Sequence, residues 1–346
     1  MPLITLHPSP VELYLAADDG IGSTRLRTAA TMLRVRFRVY ARSAAWAKLH
    51  PWERYLSRVH AYALVSPGAV FCLESAAVLL GMPVFGEPRD IHTYAQGRPT
   101  STRYGDVVIH TSAQDRPLFA GTGGLRVTAS IQTALDLGRV LPPAFGLAVA
   151  DSAARSSIDA AAAIAAFRRG VTEQISPRGR ARLRWLADRI DAVPESPGES
   201  VSRAVIEWLG YPRPELQHTF RYEGITDRAD FFWREYRAIG ESDGWGKYEG
   251  TPEEVRERLR AEKVREDRLR RYERSFGRWD WRDTMRAEPL DRKLALMGLP
   301  VLARRNNAAL TTLRSHSRSL SPSESARRRG ISAPHQFSDA APSLTG

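Results

Sequence analysis

The chain has 346 residues, a formal net charge of +12 and a single cysteine, Cys72. This length predicts two or three domains with real hydrophobic cores. One cysteine excludes an intramolecular disulfide and a cysteine-based zinc site, so a reducing compartment is expected. No apolar run approaches the roughly 18 residues of a membrane span, and no signal-peptide pattern opens the sequence. We therefore expect a cytoplasmic protein that is not inserted in a membrane.

The positive charge is concentrated at the two ends of the chain. Residues 1–60 contain nine Lys/Arg and four Asp/Glu, and residues 301–346 contain seven and two. A basic balance attracts polyanions, so nucleic acid, and DNA in particular, is the expected partner. A basic surface that only keeps the protein soluble is the alternative.

Residues 1–55 are predicted to form a small winged-helix-like domain. Helices are expected over residues 10–17 and 23–33, followed by a strand with a period of two. The cationic face of this strand carries Arg34, Arg36 and Arg38. Such a face could contact a phosphate backbone. The alternative is a half-buried edge strand whose arginines discourage pairing with another edge.

Residues 56–155 are predicted to form a mixed α/β region. The sequence patterns indicate helices over residues 52–65 and 73–81 and from Ser130 onward. They indicate short strands over residues 90–94, 106–110 and 125–128.

Two runs in this part of the chain carry a resemblance. YLSRVHAYALVSPGAVFCLESAAVLLGMP and GLRVTASIQTALDLGR resemble the AbiEi antitoxin family of toxin–antitoxin systems. The resemblance covers about residues 2–155. It implies a winged helix followed by a mixed α/β domain, repression of the protein's own operon, and a cognate nucleotidyltransferase-like toxin as a partner.

An alanine-rich helical connector over residues 156–190 is expected to lead into a further domain at residues 191–300. A helix should begin after Ser196, with Pro197 in its first turn, and end at Gly210. Strands are then predicted over residues 226–233 and 238–243, a long charged helix over 251–272, and a closing strand over 276–281.

Acidic residues stand out on the two predicted strands. Asp230 lies in an apolar and aromatic run, and Glu241 and Asp243, two apart, point to one face of the next strand. A buried charge is costly unless it is paired or metal-bound, and hard oxygen ligands suit Mg²⁺. A structural alternative exists for Glu199, which completes a capping box with Ser196, and for Asp243-Gly244, a common turn dipeptide.

The order of these residues resembles the PD-(D/E)XK nuclease superfamily, and most of all its branch related to the Vsr mismatch endonucleases. The matching residues are Ser196-Pro197-Gly198-Glu199, Asp230-Phe231 and Glu241-Ser242-Asp243-Gly244. The resemblance implies a restriction-endonuclease-like α/β domain that hydrolyses phosphodiester bonds with Mg²⁺ or Mn²⁺. Asp230 and Glu241 would bind the metal directly, and Asp243 or Glu199 would complete its shell through water. Asp243 stands where the superfamily has a lysine, which makes Lys247 the candidate for that role.

The remaining predictions concern the long charged helix and the C-terminus. Arg265, Arg268 and Arg271 could face a backbone phosphate, or belong to a solvated, salt-bridged helix face. Residues 301–346 are rich in Ser, Arg and Pro and are predicted to be a disordered basic tail.

We therefore expect an α/β protein, α+β overall, that acts as a metal-dependent endonuclease in phage defence or a toxin–antitoxin system. The alternative is an AbiEi-like antitoxin or transcriptional regulator whose nuclease-like domain is not catalytic.

Overall fold

The computed structural model of the chain describes residues 3–16, 31–112, 114–121, 123–244, 251–314 and 316–328. Within these residues the chain forms thirteen α-helices and three β-sheets, so the predicted mixed α/β class is confirmed. No helix in these ranges is both long enough and apolar enough to cross a membrane.

The strands, in chain order, are β1 (Leu3–Ile4), β2 (Tyr14–Leu15), β3 (Met32–Arg36), β4 (Val39–Arg42), β5 (Val70–Phe71), β6 (Ile91–Tyr94), β7 (Thr102–Tyr104), β8 (Val107–His110), β9 (Leu118–Gly121), β10 (Arg126–Thr128), β11 (Glu215–Tyr222), β12 (Ile225–Trp233), β13 (Ala238–Asp243) and β14 (Ser275–Asp280). The helices are α1 (Ser43–Lys48), α2 (Pro51–Val65), α3 (Leu73–Leu79), α4 (Ser130–Val140), α5 (Pro143–Arg155), α6 (Ala160–Thr172), α7 (Arg180–Ala187), α8 (Pro197–Leu209), α9 (Pro252–Tyr272), α10 (Trp281–Arg286), α11 (Glu288–Leu296), α12 (Asn307–Thr311) and α13 (Pro322–Arg328).

The N-terminal part of the chain is built on a seven-stranded mixed sheet in the order β1-β9-β10-β5-β6-β8-β7. Parallel and antiparallel pairs alternate across it. Helices α2 and α3 pack against this sheet through a core that includes the buried side chains of Tyr55, Phe71 and Val127. The helices and short strands predicted for residues 56–155 are therefore confirmed.

The basic segment near the N-terminus lies in a separate antiparallel sheet in the order β2-β4-β3. The single strand predicted to carry Arg34, Arg36 and Arg38 is instead the hairpin β3–β4, which turns at Phe37 and Arg38. Arg38 adopts a φ of 65°, which breaks the predicted alternation.

Two helices predicted before this hairpin need correction. Residues 10–16 contain β2 and no helix, because pairing with β4 determines their conformation more strongly than their apolar spacing does. Residues 32 and 33 belong to β3 rather than to a helix, and residues 17–30 lie outside the described residues. The helix–helix–strand outline of a winged helix is thus not formed by the described residues before residue 55.

Helices α4 to α7 form a helical layer in the middle of the chain, and the predicted connector is part of it. Phe167, Leu183 and Leu186 are fully buried in this layer. Helix α5 also packs against α8, so one continuous core runs from the layer into the C-terminal sheet.

The C-terminal sheet has the order β11-β12-β13-β14, with only β13 and β14 parallel. Helix α8 lies on the face that buries Phe231 and Trp279, and α9 lies on the face that buries Phe232 and Ile239. A Cβ atom at Gly240 would overlap the Trp279 ring, so the sheet needs glycine there.

The elements predicted for residues 191–300 are confirmed. Helix α8 begins at Ser196, whose Oγ accepts a hydrogen bond from the Glu199 backbone N–H at 3.2 Å. It ends at Gly210, whose φ of 92° is the left-handed conformation typical of a helix C-terminus. Helix α9 begins after Thr251, as its capping signal predicts.

The predicted disorder of the C-terminal tail is wrong for residues 301–314 and 316–328. These residues contain α12 and α13 and return to the N-terminal region. Ser325 accepts a hydrogen bond from Arg54 at 2.8 Å, and Arg318 forms an ion pair with Glu74. The segment needs no core of its own because its polar side chains find partners there. Residues 329–346 lie outside the described residues.

The burial of the ion pair between Arg54 and Glu87 can be tested by its effect on stability. Its N–O distance is 2.7 Å, and the two side chains are 0% and 1% exposed. Replacing Arg54 by Met leaves Glu87 as an uncompensated buried charge, so Arg54→Met should lower the free energy of unfolding by about 3–5 kcal/mol in urea titrations. The control is Arg89→Met, which removes a 41%-exposed arginine paired with Glu324 and should cost less than about 1 kcal/mol. Equal losses in both variants would contradict the burial of the first pair.

Candidate active site

Two of the predicted carboxylates, Glu199 and Asp230, are hydrogen-bonded to the same side-chain amide, that of Gln217. Glu199 lies in the first turn of α8, and its Oε2 accepts hydrogen bonds from the Glu195 backbone N–H at 2.9 Å and from Gln217 Nε2 at 2.7 Å. The same Nε2 lies 3.2 Å from Asp230 Oδ1. The other oxygen of Asp230 accepts from the Ser242 backbone N–H at 2.9 Å. The helix and the sheet thus bring two carboxylates to one point.

Gln217 was not among the predicted site residues. It lies in β11 between the register pairs Leu216–Phe231 and His218–Ala229, which places it across from Asp230. Its φ of 50° is unusual for a residue other than glycine in a strand. A glutamine in a strand has no characteristic spacing, so the sequence offers no signal for this bridge.

Asp230 has no cationic partner among the described residues. Burial, together with the neighbouring charges of Glu199 and Glu241, raises the pKa of its carboxyl to about 7. Within the described ranges, no Lys or Arg side chain contacts it. At neutral pH this carboxylate therefore holds a proton part of the time, unless a cation binds beside it.

Glu241 differs from Asp230 because arginines bind both of its oxygens, although burial still raises the pKa of its carboxyl. Arg265 Nη2 lies 2.7 and 2.6 Å from Oε1 and Oε2, and Arg278 Nη2 lies 3.3 Å from Oε2. Arg265 also pairs with Glu262 at 2.9 Å, and Arg278 pairs with Asp243 at 3.3 Å. Burial alone would raise the pKa of Glu262, but Arg265 and Arg278 lower it to about 2. This side of the site is a compensated salt-bridge network.

The donor set fits a divalent cation only in part. Glu199 and Asp230 fit, because two carboxylate oxygens approach one amide nitrogen and no described arginine neutralises Asp230. Glu241 does not fit as a third ligand while Arg265 occupies both of its oxygens. Across the part of the chain that the structure describes, no group of three or more His, Cys, Asp or Glu is placed to hold a metal ion.

Asp243, another predicted catalytic residue, does not join the pair of Glu199 and Asp230. Asp243 lies two residues beyond Glu241, contacts Arg278 and is about one-third exposed. Lys247 lies outside the described residues.

The arginines predicted to bind phosphate on α9 are engaged within the protein. Arg268 is 6% exposed and forms two hydrogen bonds with Asp227, at 2.6 and 2.8 Å, so the predicted phosphate contact does not fit this arrangement. Arg265 is bound to Glu241, and Arg271 binds Glu223 at the surface.

The three N-terminal arginines predicted to bind phosphate differ in whether they are already bound within the protein. Arg36 pairs with Asp106 at 2.6 Å, and Arg38 donates to the Ala16 carbonyl. Arg34 is exposed on β3. Of the three, Arg34 is the one most available to an external phosphate.

A cleft of about 520 Å³ lies beside the acidic site, although Glu199, Asp230 and Glu241 are not among its lining residues. Gly198, Ser242 and Asp243 lie on its wall beside the carboxylates. Trp52, Phe85 and Trp281 supply aromatic surface on the same cleft. The cleft is therefore formed by both the N-terminal region and the C-terminal sheet domain.

Comparison of the chain with protein-family models, with curated proteins and with solved structures found no match. The resemblances to nucleases and to AbiEi antitoxins therefore stay predictions based on the quoted residues.

The raised pKa of Asp230 predicts a pH dependence of stability in the absence of metal. Between its ordinary value of 3.8 and about 7, the folded protein binds more protons at this site than the unfolded chain does. Stability should therefore fall as the pH rises through this window. Asp230→Asn should remove this loss and raise the free energy of unfolding by about 1–3 kcal/mol at pH 8.

The measurement is urea unfolding in EDTA at pH 4.5 and pH 8. Asp188→Asn, which changes an exposed carboxylate at the end of α7, is the control and should follow the wild type at both pH values. Equal stability of the wild-type protein and the Asp230→Asn variant at pH 8 would show that the ionised Asp230 carboxylate does not destabilise the fold.

Proposed function

We propose that residues 191–300 are a metal-dependent nuclease domain that hydrolyses phosphodiester bonds in nucleic acid, with DNA as the first substrate to test. The observation that carries this proposal is Asp230, a mostly buried carboxylate beside Glu199 and Glu241 that no Lys or Arg among the described residues contacts. A site of this kind favours binding of a divalent cation, because the cation relieves the repulsion between the carboxylates.

Asp230 and Glu199 would hold the Mg²⁺ or Mn²⁺ ion. When bound, the ion supplies Lewis-acid stabilisation of the phosphate and lowers the pKa of a water molecule. Gln217 orients both carboxylates through its amide, and the Ser242 backbone N–H fixes the second oxygen of Asp230. This preorganisation keeps the two carboxyl groups together before the substrate arrives.

Arg278 is a candidate for the electrostatic role that the superfamily gives to lysine. It contacts both Glu241 and Asp243, the two acids of β13. A guanidinium held there would stabilise negative charge that develops on a phosphate in the cleft. Lys247, which the sequence suggests for the same electrostatic role, remains a candidate beside Arg278.

The cleft beside the acids suits an unpaired nucleic-acid strand. Trp52 is 47% exposed on its wall, and Trp281 lies on the same cleft. Exposed aromatic rings bind bases by stacking, and the net charge of +12 attracts the phosphate backbone.

The test is cleavage of supercoiled plasmid and single-stranded DNA in Mg²⁺, Mn²⁺ or EDTA. The wild-type protein and the Asp188→Asn control should cleave with either metal and not in EDTA. Asp230→Asn should abolish cleavage without loss of folding, since the amide cannot supply the anionic oxygen. Cleavage by Asp230→Asn at the wild-type rate would refute the assignment.

A second candidate is a nucleic-acid-binding regulator or antitoxin in which this domain has lost catalysis and contacts a cognate toxin or DNA. The pairing of Glu241 with Arg265 and Arg278 favours this alternative, since it removes one of the three acids expected to hold metal. Absence of cleavage together with salt-dependent DNA binding would support it.

Under this second candidate, Arg34 should contribute to DNA binding. Arg34→Gln should reduce the slope of log K against log salt by about 1, as expected for one lost phosphate contact. Fluorescence anisotropy with labelled duplex DNA across a salt series measures the slope. Arg292→Gln, which removes an exposed arginine on α11, is the charge-matched control and should leave the slope unchanged. Identical slopes for the two variants would argue against binding through β3.

A further inference from the structure

A separate polar cavity lies between the seven-stranded sheet and the helical layer. It has two adjoining parts: one of about 260 Å³ that reaches Cys72, Leu73 and Arg318, called the inner part, and an outer groove of about 680 Å³. The two share five lining residues, namely His110, Thr111, Arg116, Arg139 and Arg178. We call this feature the arginine cavity.

Four arginines from distant parts of the chain line the inner part of the arginine cavity. They are Arg116, Arg139, Arg178 and, from the C-terminal segment, Arg318. Among the described residues, two of them have carboxylate partners. Arg116 forms an ion pair with Asp136, and Arg318 Nη2 donates to Glu74 Oε2 at 2.6 Å.

The other two arginines form no ion pair within the described ranges, although the charge of Asp136 acts on Arg139. Arg139 donates to neutral groups, at 2.9 Å to Gln174 Oε1 and at 3.0 Å to the Arg178 carbonyl. Burial lowers the pKa of Arg139, the negative charge of Asp136 opposes this shift, and the positive charges of Arg116 and Arg178 add to it. The guanidinium of Arg178 has no ion-pair or hydrogen-bond partner within the described ranges. The inner cavity therefore carries excess positive charge in a partly enclosed space.

The outer groove has a different character. Gln114, Gln132 and Gln174 line it together with Asp115 and Glu173. Amide groups bind both donors and acceptors, and carboxylates accept hydrogen bonds from hydroxyl groups. An anion is thus favoured in the inner part, and a polar group with hydroxyl and amino donors is favoured in the outer part.

We propose that the arginine cavity binds a phosphomonoester, with the phosphate among the arginines and an attached nucleoside in the outer groove. Planar guanidinium groups match phosphate oxygens in pairs, which makes arginine the preferred residue for such a ligand. The phosphomonoester could come from a free nucleotide or from the 5′-phosphorylated end of a nucleic acid. This inference does not depend on the acidic site or on the proposed nuclease activity.

The test is isothermal titration calorimetry of the full chain with AMP, adenosine, and a short oligonucleotide with a 5′-phosphate or a 5′-hydroxyl. A phosphorylated probe should bind, and its unphosphorylated counterpart should not. Arg178→Gln should weaken that binding by about tenfold or more, the effect of losing a charge-assisted hydrogen bond. Arg178 is exposed, so this variant should fold normally, and circular dichroism checks it.

Arg169→Gln is the matched control, because Arg169 is an exposed arginine on α6 that lines neither part of the cavity. Its affinity for the phosphorylated probe should equal that of the wild type. Binding of AMP with this dependence on Arg178 identifies a free nucleotide as the ligand. Binding of the 5′-phosphorylated oligonucleotide alone, with the same dependence, identifies a nucleic-acid end. No binding of either phosphorylated probe, or equal binding by the two variants, overturns the proposal.

Discussion

The C-terminal domain depends on the compensation of one buried charge, that of Glu241. Its carboxylate is 5% exposed and is held by Arg265 from α9 and Arg278 from β14. Because β13 and β14 pair in parallel with Glu241 opposite Arg278, this contact also lies within the sheet register. Removing either arginine would leave a buried charge partly uncompensated, which is more costly than never having had the pair. The long charged helix α9 is therefore bound to the sheet by charge as well as by Leu269 and its neighbours in the core.

The same compensation divides the acidic residues into two groups with different chemistry. Glu262 lies between two arginines and has a pKa of about 2, whereas Asp230 has a pKa of about 7 because burial and two carboxylates disfavour its charge. Environments that separate the pKa values of neighbouring carboxyls are typical of acid–base and metal sites. Structural ion-pair networks also shift pKa values, but they do so by supplying the opposite charge. Asp230 has no such charge among the described residues, so the functional proposal rests on this residue.

Much of this domain could be predicted because its signals are local. Ser196 and Gly210 mark the ends of α8, and the aromatic run around Asp230 marks β12. The partners that complete the site could not be predicted, since Gln217 and Arg278 reach it through sheet register, which depends on the fold of distant segments. The prediction of a disordered C-terminal tail was wrong for the same reason, because its contacts are with distant segments. Its composition indicates disorder, but Arg318 and Glu74 are 244 residues apart and meet only in the folded chain.

Net charge poses a related problem, because counting arginines does not tell which of them can bind a ligand. Arg54 and Arg268 are buried and form ion pairs with carboxylates, so they are not available to bind a polyanion. Arg34 and Arg178 are exposed. Arg34 lies on β3 of the three-stranded sheet, and Arg178 lines the arginine cavity. Available positive charge and the acidic cluster thus occupy different parts of the molecule. The cleft lined by Trp52 from α2 and by Ser242 and Asp243 from β13 has no Lys or Arg among its described lining residues, so aromatic surface, and not positive charge, adjoins the acids there.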